Sequence, residues 1–232
     1  FGQNLLAETN NYTLLIDRKE DLAGLPEGIT EQAASTAERM DQKGLWAFTI
    51  QYPIMEPFLK YAENRELRKQ IFTAYFMKGD NGNEYDNNEI IARIARLRLE
   101  RANLLGYKTY ADFTLERNMA KTPERVLDFL GQVWNAALPV AKAEAAAQQQ
   151  IIDKEGGKIK LEPWDWWYYT EKIKKEKYAL DDELTRPYFM TENVIDGMFY
   201  VANRLYNLDF TKRTDIPKYH PDVVTYAVTR NN

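Results

Sequence analysis

The sequence predicts an all-α protein, mainly helical, with two short strands. Three observations carry this reading. Apolar residues recur at three- and four-residue spacing through most of the chain. Cap residues and glycines bracket those runs at both ends. Only two stretches, 45–51 and 223–229, carry a strand signature of alternating or concentrated β-branched and aromatic residues.

Taken in order, Thr30 is a candidate N-cap with Glu31 in the first turn, for a helix that runs to Lys43 and stops at Gly44. Leu45 to Gln51 alternates, with Trp46, Phe48 and Ile50 on one side, and reads as a strand that Tyr52-Pro53 ends. Asn64 caps a helix through Met77, with Leu67, Ile71, Ala74 and Tyr75 as its apolar stripe and Gly79 as its stop. Asp80 to Asn88 is a polar loop. Asn88 or Asp86 caps the next helix, whose buried side is marked by Ile90, Ile91, Ile94, Leu97, Leu104 and Leu105, with Gly106 after its last turn. Thr109 caps a shorter helix through about Arg117.

Thr122-Pro123-Glu124 is a strong helix start, with proline in the first turn beside an acid. Val126, Phe129, Leu130, Val133 and Ala137 follow at helical spacing, and Pro139 is expected to kink the run. The Ala/Glu/Gln-rich stretch from Lys142 to Gln150 is an exposed helix of high intrinsic propensity. Gly156-Gly157 breaks it and marks a boundary between a helical segment, 1–155, and a further sub-domain, 158–232. Pro163 to Tyr178 is helical again. Thr191 caps a helix carrying Val194, Ile195, Met198, Ala202 and Leu205. Asn207 to Pro221 reads as irregular, and Val223 to Thr229 as a terminal strand.

A lone strand is not stable. It is therefore expected to pair with strands that follow Asn232 in a longer protein. Cut from them, it would fray or pair with a second copy of the chain. The 45–51 strand is a weaker internal partner, because its apolar face should already be covered. The missing initiator Met at Phe1 fits the same expectation of a segment cut from a longer protein.

Composition removes several function classes. There is no cysteine and one histidine, His220. Disulfides, thiolate nucleophiles and Cys-type metal sites are excluded. A catalytic zinc with three protein ligands normally uses two or more His or Cys, and one His cannot supply them. The single serine, Ser35, sits in a helix-like run with no small-residue turn around it, which argues against a Ser-His-Asp triad. A net charge of −4 gives no electrostatic case for nucleic acid or an anionic membrane as partner. There is no apolar run long enough for a membrane helix and no signal-peptide pattern.

The candidate chemistry is correspondingly thin. Asp80 to Asp86 has the look of a calcium loop, but the required Gly and Glu positions hold Tyr85 and Ile91, so it reads as a solvated loop. Lys172 to Lys177 mixes signs at helical spacing, as a solvated face does. No glycine-rich phosphate loop follows a strand. Trp164, Trp166, Trp167, Tyr168 and Tyr169 form the densest aromatic cluster, a packing element or a ligand platform. His220, between Tyr219 and Pro221, is a structural hydrogen-bonded side chain or a cleft residue.

Several stretches in order resemble one enzyme family. They are Asp21-Leu22-Ala23-Gly24-Leu25-Pro26, then Phe48-Thr49-Ile50 with Tyr52-Pro53, Asn64-Arg65-Glu66-Leu67-Arg68 and Ala74-Tyr75. Asp86-Asn87, Leu97-Arg98-Leu99-Glu100, Asn103-Leu104-Leu105-Gly106-Tyr107 and Tyr110-Ala111-Asp112 continue the series. Met119-Ala120, Pro123-Glu124-Arg125-Val126, Pro163-Trp164-Asp165, Tyr168-Tyr169, Arg186-Pro187-Tyr188-Phe189 and His220-Pro221-Asp222-Val223 complete it. Together they resemble the thimet oligopeptidase, oligopeptidase A and peptidyl-dipeptidase family of zinc metallopeptidases, with a lean toward the bacterial peptidyl-dipeptidase branch.

That resemblance implies a helical scaffold walling a deep cleft for short peptides. It also implies a zinc held by H-E-x-x-H and a further Glu, with the motif Glu activating water. No position here matches those ligands or that base, so no catalytic or metal residue is assigned, and none to substrate. The resemblance further implies that 158–232 is the start of a catalytic sub-domain truncated before its zinc site. The chain is then expected to be a fragment upstream of the zinc motif, inactive by itself, from a bacterial cytoplasmic or periplasmic enzyme. The alternative is a free-standing helical module that binds peptides or proteins without catalysis.

Overall fold

In the computed structural model of the chain, residues 1–179 and 182–230 are described. The chain divides into two compact units, Phe1–Tyr178 and Ala179–Asn232. The first contains α1 (Gly2–Asn11), β1 (Thr13–Ile16), α2 (Glu27–Arg39), β2 (Trp46–Thr49), α3 (Tyr52–Tyr61), α4 (Arg65–Phe76), α5 (Asn88–Leu104), α6 (Tyr110–Leu115), α7 (Pro123–Lys154) and α8 (Trp166–Tyr178). Turns of 3₁₀ helix at Lys19–Leu22 and Pro163–Asp165 precede α2 and α8. The second unit contains α9 (Asp182–Thr185), a 3₁₀ turn at Arg186–Phe189, α10 (Thr191–Tyr206), β3 (Leu208–Arg213) and β4 (Thr225–Arg230). The all-α reading with two minor strand regions therefore holds. The division falls after Tyr178, while Gly156-Gly157 ends α7 inside the first unit.

The core of the first unit is built on the β1–β2 hairpin-like pair. The two strands run antiparallel, with Leu14 opposite Phe48 and Ile16 opposite Trp46. Phe48 and Ile50 point into a cluster with Leu14, Ile16, Met55, Phe58, Leu59, Ala62 and Ile71. Phe48 and Phe58 meet edge to face at 4.8 Å. Each such side chain contributes roughly 1.5–3 kcal/mol of transfer free energy on burial. The predicted 45–51 strand and its covered face are thus found, and α2 packs on β2 with Ala33 and Ala37 buried.

Local cap chemistry sets three helix starts and one helix end among the described residues. Asn64 Oδ1 accepts from the Glu66 and Leu67 N–H groups. Thr109 and Asp112 form a reciprocal capping box. Thr122 caps α7 at the Arg125 N–H. At the end of α5 the Tyr107 N–H bonds the Ala102 carbonyl and the Gly106 N–H that of Asn103. That double bond closes the helix as a Schellman motif on Gly106, whose φ is +85°.

Four expectations are corrected. The helix assigned to Thr30–Lys43 begins at Glu27, because Pro26 takes the cap position and Thr30 bonds back to the Glu27 carbonyl at 2.8 Å. Tyr52-Pro53 ends the strand but starts α3, since proline suits a first helical turn. The 142–150 stretch of α7, expected to be exposed, buries Gln148, and the helix continues through Pro139. Asn135 and Pro139 are both exposed, so the carbonyl left without a helical donor faces solvent. The side of α5 expected to be buried is open: Leu97 is half exposed and Leu104 is 88% exposed, with only Ala102 buried.

The terminal strand is a fifth and larger correction. It does not lack a partner in its own chain. β4 pairs antiparallel with β3 from Leu208↔Arg230 to Arg213↔Thr225. Reading 207–221 as irregular misses β3, which starts directly after Asn207, the left-handed residue that ends α10. Phe210 stacks on Phe199 of α10 at 4.2 Å, and Tyr226 meets the same ring at 4.9 Å. The main premise for strand-mediated self-association is removed, because one edge of β4 is already satisfied.

The polar loop 80–87 is organised from the far end of the chain. Glu8, 8% exposed, accepts from the Gly79 N–H and from the side-chain amides of Asn81 and Asn83. Burial pushes the Glu8 carboxyl up, but the hydrogen bonds from Asn81, Gly79 and Asn83 together outweigh it and hold it below the ordinary value. Its contribution is therefore complete above the unfolded-state value near 4.5 and is lost as pH falls through the lower folded value. We expect the stability gap between wild type and Glu8→Gln, read by urea denaturation, to stay constant from neutrality down to the unfolded-state value and to narrow as pH falls below it. A gap that widens on acidification refutes this account.

Candidate functional site

The aromatic cluster of the sequence becomes the most developed surface of the first unit. Its foundation is ionic. The 3₁₀ turn Pro163–Asp165 places Asp165 with no exposed surface against α4. Asp165 accepts from Arg68 Nη2 at 2.9 Å and from Arg65 Nη2 at 2.9 Å. It also accepts from the Glu162 N–H at 3.1 Å, which closes its own turn. Arg68 is 2% exposed and spends its other terminal nitrogen on the Ala62 and Glu63 carbonyls, at 2.7 and 3.0 Å. Its guanidinium lies 4.2 Å from the Tyr168 ring.

Upon this node the aromatics divide in role. Tyr169 is buried, and burial raises its hydroxyl above the ordinary tyrosine value. Trp164 lies under the cations of Arg65 and Lys69, at 5.4 and 5.1 Å. Trp167 joins Phe72 and Phe76 at 6.0 and 6.2 Å and packs on the core. Trp166 stands between two concavities. One, about 440 Å³, is almost wholly apolar and is lined by Phe72, Phe76, Leu161, Pro163 and Trp167. The other, about 490 Å³, runs between α7 and α8 beside Ala147, Gln148, Thr170 and Ile173. The cluster is thus a packing element whose tryptophans also line two concavities.

The concavities combine apolar walls and indole edges with polar and charged side chains, Glu162 on the first and Glu144, Gln148, Thr170, Lys174 and Lys177 on the second. The other sequence candidates lie apart from it. The carboxylates of the 80–86 loop are spent internally, Asp86 on the Gly82 and Asn88 N–H groups and Asp80 on the Asn88 side chain. Lys172 pairs with Glu155 at 2.6 Å, which ties α8 to the end of α7. His220 is exposed, with Asp222 at 3.7 Å. Ser35 lies within α2. Among the described residues no three His, Cys, Asp or Glu side chains come together as a metal site would need.

The stretches that carried the family resemblance meet in space as framework. Arg65 and Arg68 find Asp165 about a hundred positions away. Asn64 donates to Asp21 at 2.7 Å, and the Glu63 N–H reaches the Ala23 carbonyl at 2.9 Å. Asn87 bonds the Gly79 carbonyl through its backbone N–H and accepts from Asn4. The sequence marked these residues as belonging together but could not show what joins them.

Comparison with known proteins agrees. The profile described as Peptidase family M3 matches residues 58–232. "Oligopeptidase A" of Haemophilus influenzae is 37% identical over all of this chain, which covers 34% of that protein. "Dipeptidyl carboxypeptidase" of Escherichia coli is 35% identical over all of the chain, again 34% of its own length. "Saccharolysin" of Saccharomyces cerevisiae is 31% identical over 98% of the chain and 32% of itself. The chain therefore spans about a third of these relatives, and identities of 37% and 35% do not separate the oligopeptidase branch from the dipeptidase branch. With three quarters of its length matched by the profile and all of it by these peptidases, the chain belongs to Peptidase family M3.

Proposed function

We propose that this chain is a non-catalytic portion of a zinc-dependent peptidase that cleaves short oligopeptides, and that it is inactive when isolated. Family membership and the peptidase relatives support the reaction class. The donor set carries the rest. The sequence holds one His and no Cys, and that His is exposed with a single acidic neighbour, so these residues do not fit a zinc ion. Chemistry in this reading belongs to the other two thirds of the parent, and the segment supplies framework and apolar wall. In this reading the parent works in the bacterial cytoplasm or periplasm. No described helix is long and apolar enough to cross a membrane.

Two measurements on the isolated chain test the proposal. Elemental analysis after dialysis is expected to find far less than stoichiometric zinc, whereas one tightly held ion per chain overturns it. A quenched fluorescent oligopeptide is expected to remain uncut, because water activation needs a metal and base that the chain lacks. Chelator-sensitive turnover by a contaminant-free sample overturns that part.

A further inference from the structure

We propose that the N-terminal half of α7, residues 126–140, is an interior helix held between two layers, both supplied by the remaining length of its own polypeptide. The proposal rests on the reading that the parent is longer than this chain. Its first support is the width of the apolar arc. With 3.6 residues per turn, Ala136, Phe129, Val140, Val133, Val126, Ala137, Leu130, Trp134, Leu127 and Leu138 together span about 200° of the helix circumference. A helix packed on one side needs an arc of only about 100°. The remaining circumference carries Arg125, Asp128, Gln132 and Asn135. Yet Phe129 and Trp134, on opposite flanks of the arc, are each 63% exposed.

The second support is area. A self-contained protein of 27.2 kDa exposes roughly 11,000 Å². This chain exposes 16999 Å². The excess, on the order of 6,000 Å², is more than twice what even a large obligate dimer covers on each partner. A second copy is therefore too small a cover, whereas a further two thirds of a protein is not.

The third is polar. Gln148, two turns beyond this segment and 2% exposed, donates to Thr170 Oγ1 at 3.1 Å, but its Oε1 finds no donor among the described residues. It lines the α7–α8 concavity. A buried carbonyl without a donor is costly, because it has given up its water and gained nothing in return. The covering segment is expected to bring an N–H or O–H group there.

The absence of native cysteine in this chain makes the test simple. Phe129→Cys and Trp134→Cys are made one at a time, in the isolated chain and in the full-length polypeptide with its other cysteines replaced. Both thiols are expected to react with a maleimide at least about a hundredfold more slowly in the full-length protein, since labelling then needs local opening. In the isolated chain labelling is expected to be fast and independent of protein concentration. Amide exchange across 126–140 in the two wild-type proteins gives the same comparison without substitution. Fast labelling at either position in the full-length protein overturns the two-layer burial. Slow labelling of the isolated chain that speeds up on dilution assigns the face to a second copy and overturns the proposal. Peptidase activity is read separately on the same full-length sample. Protected thiols in an inactive protein would refute the functional reading and leave this inference standing.

Discussion

Asp165→Ala is expected to lower the stability of the first unit by about 3–5 kcal/mol, the usual result of removing one member of a buried ion pair. The loss is large because of what stays behind. Arg68, 2% exposed, is left with two carbonyl partners and a tyrosine face but no Asp165, and its Nε has no partner among the described residues even before the substitution. The Pro163–Asp165 turn also loses the acceptor of its Glu162 N–H. Guanidinium denaturation followed by tryptophan fluorescence measures this directly, since Trp164, Trp166 and Trp167 flank the node. Replacing both partners with apolar residues of similar size, Arg68→Met with Asp165→Leu, is expected to recover at least half of the loss. A single-variant cost under about 1 kcal/mol would show that the pair is not desolvated as the structure has it.

Gly24→Ala is expected to be comparably damaging, at about 3 kcal/mol or more, for a different reason. Gly24 has φ +83°, where a side chain costs roughly 1–2 kcal/mol by itself. A Cβ there would stand 2.2 Å from the Tyr61 carbonyl oxygen, a backbone atom that ends α3. No flexible side chain can give way. Relief requires opening the contact between the 19–25 segment and the α3–α4 corner, where the Glu63 N–H bonds Ala23 and Asn64 bonds Asp21. Thermal unfolding by circular dichroism reads the effect. A melting temperature within a degree or two of wild type would mean that this approach is looser than drawn.

The residues that the sequence made legible were those whose structure is set within one turn of themselves. Asn64, Thr109, Thr122 and Gly106 cap what their chemistry says they cap, because the partners lie two to five positions away. β1 and β3 were not legible. Four residues, Thr-Leu-Leu-Ile, carry no reliable period, and Leu208 to Arg213 mixes Asp, Lys and Arg into its alternation. Both strands exist because a distant partner offers a ladder, which is tertiary information. The apolar stripe of α5 was read correctly as a stripe but wrongly as covered, since periodicity reports a face and not what lies against it. The Arg65–Arg68–Asp165 node was the least accessible of all. Nothing local distinguishes those charges from the solvated ones of α8.

The separation of 97 positions between Arg68 and Asp165 also has a consequence during synthesis. A chain emerging from the ribosome presents Arg68 long before its anion exists. The β1–β2 and α3–α4 core, complete by residue 76, can collapse early through contacts close in sequence, but its guanidinium must stay hydrated until the 163–165 turn has left the exit tunnel. Closing a loop of that length is a late and entropically costly event. Nascent chains halted before residue 165 should thus carry an incompletely closed first unit, open to proteases and chaperones, and those halted shortly beyond it should lock.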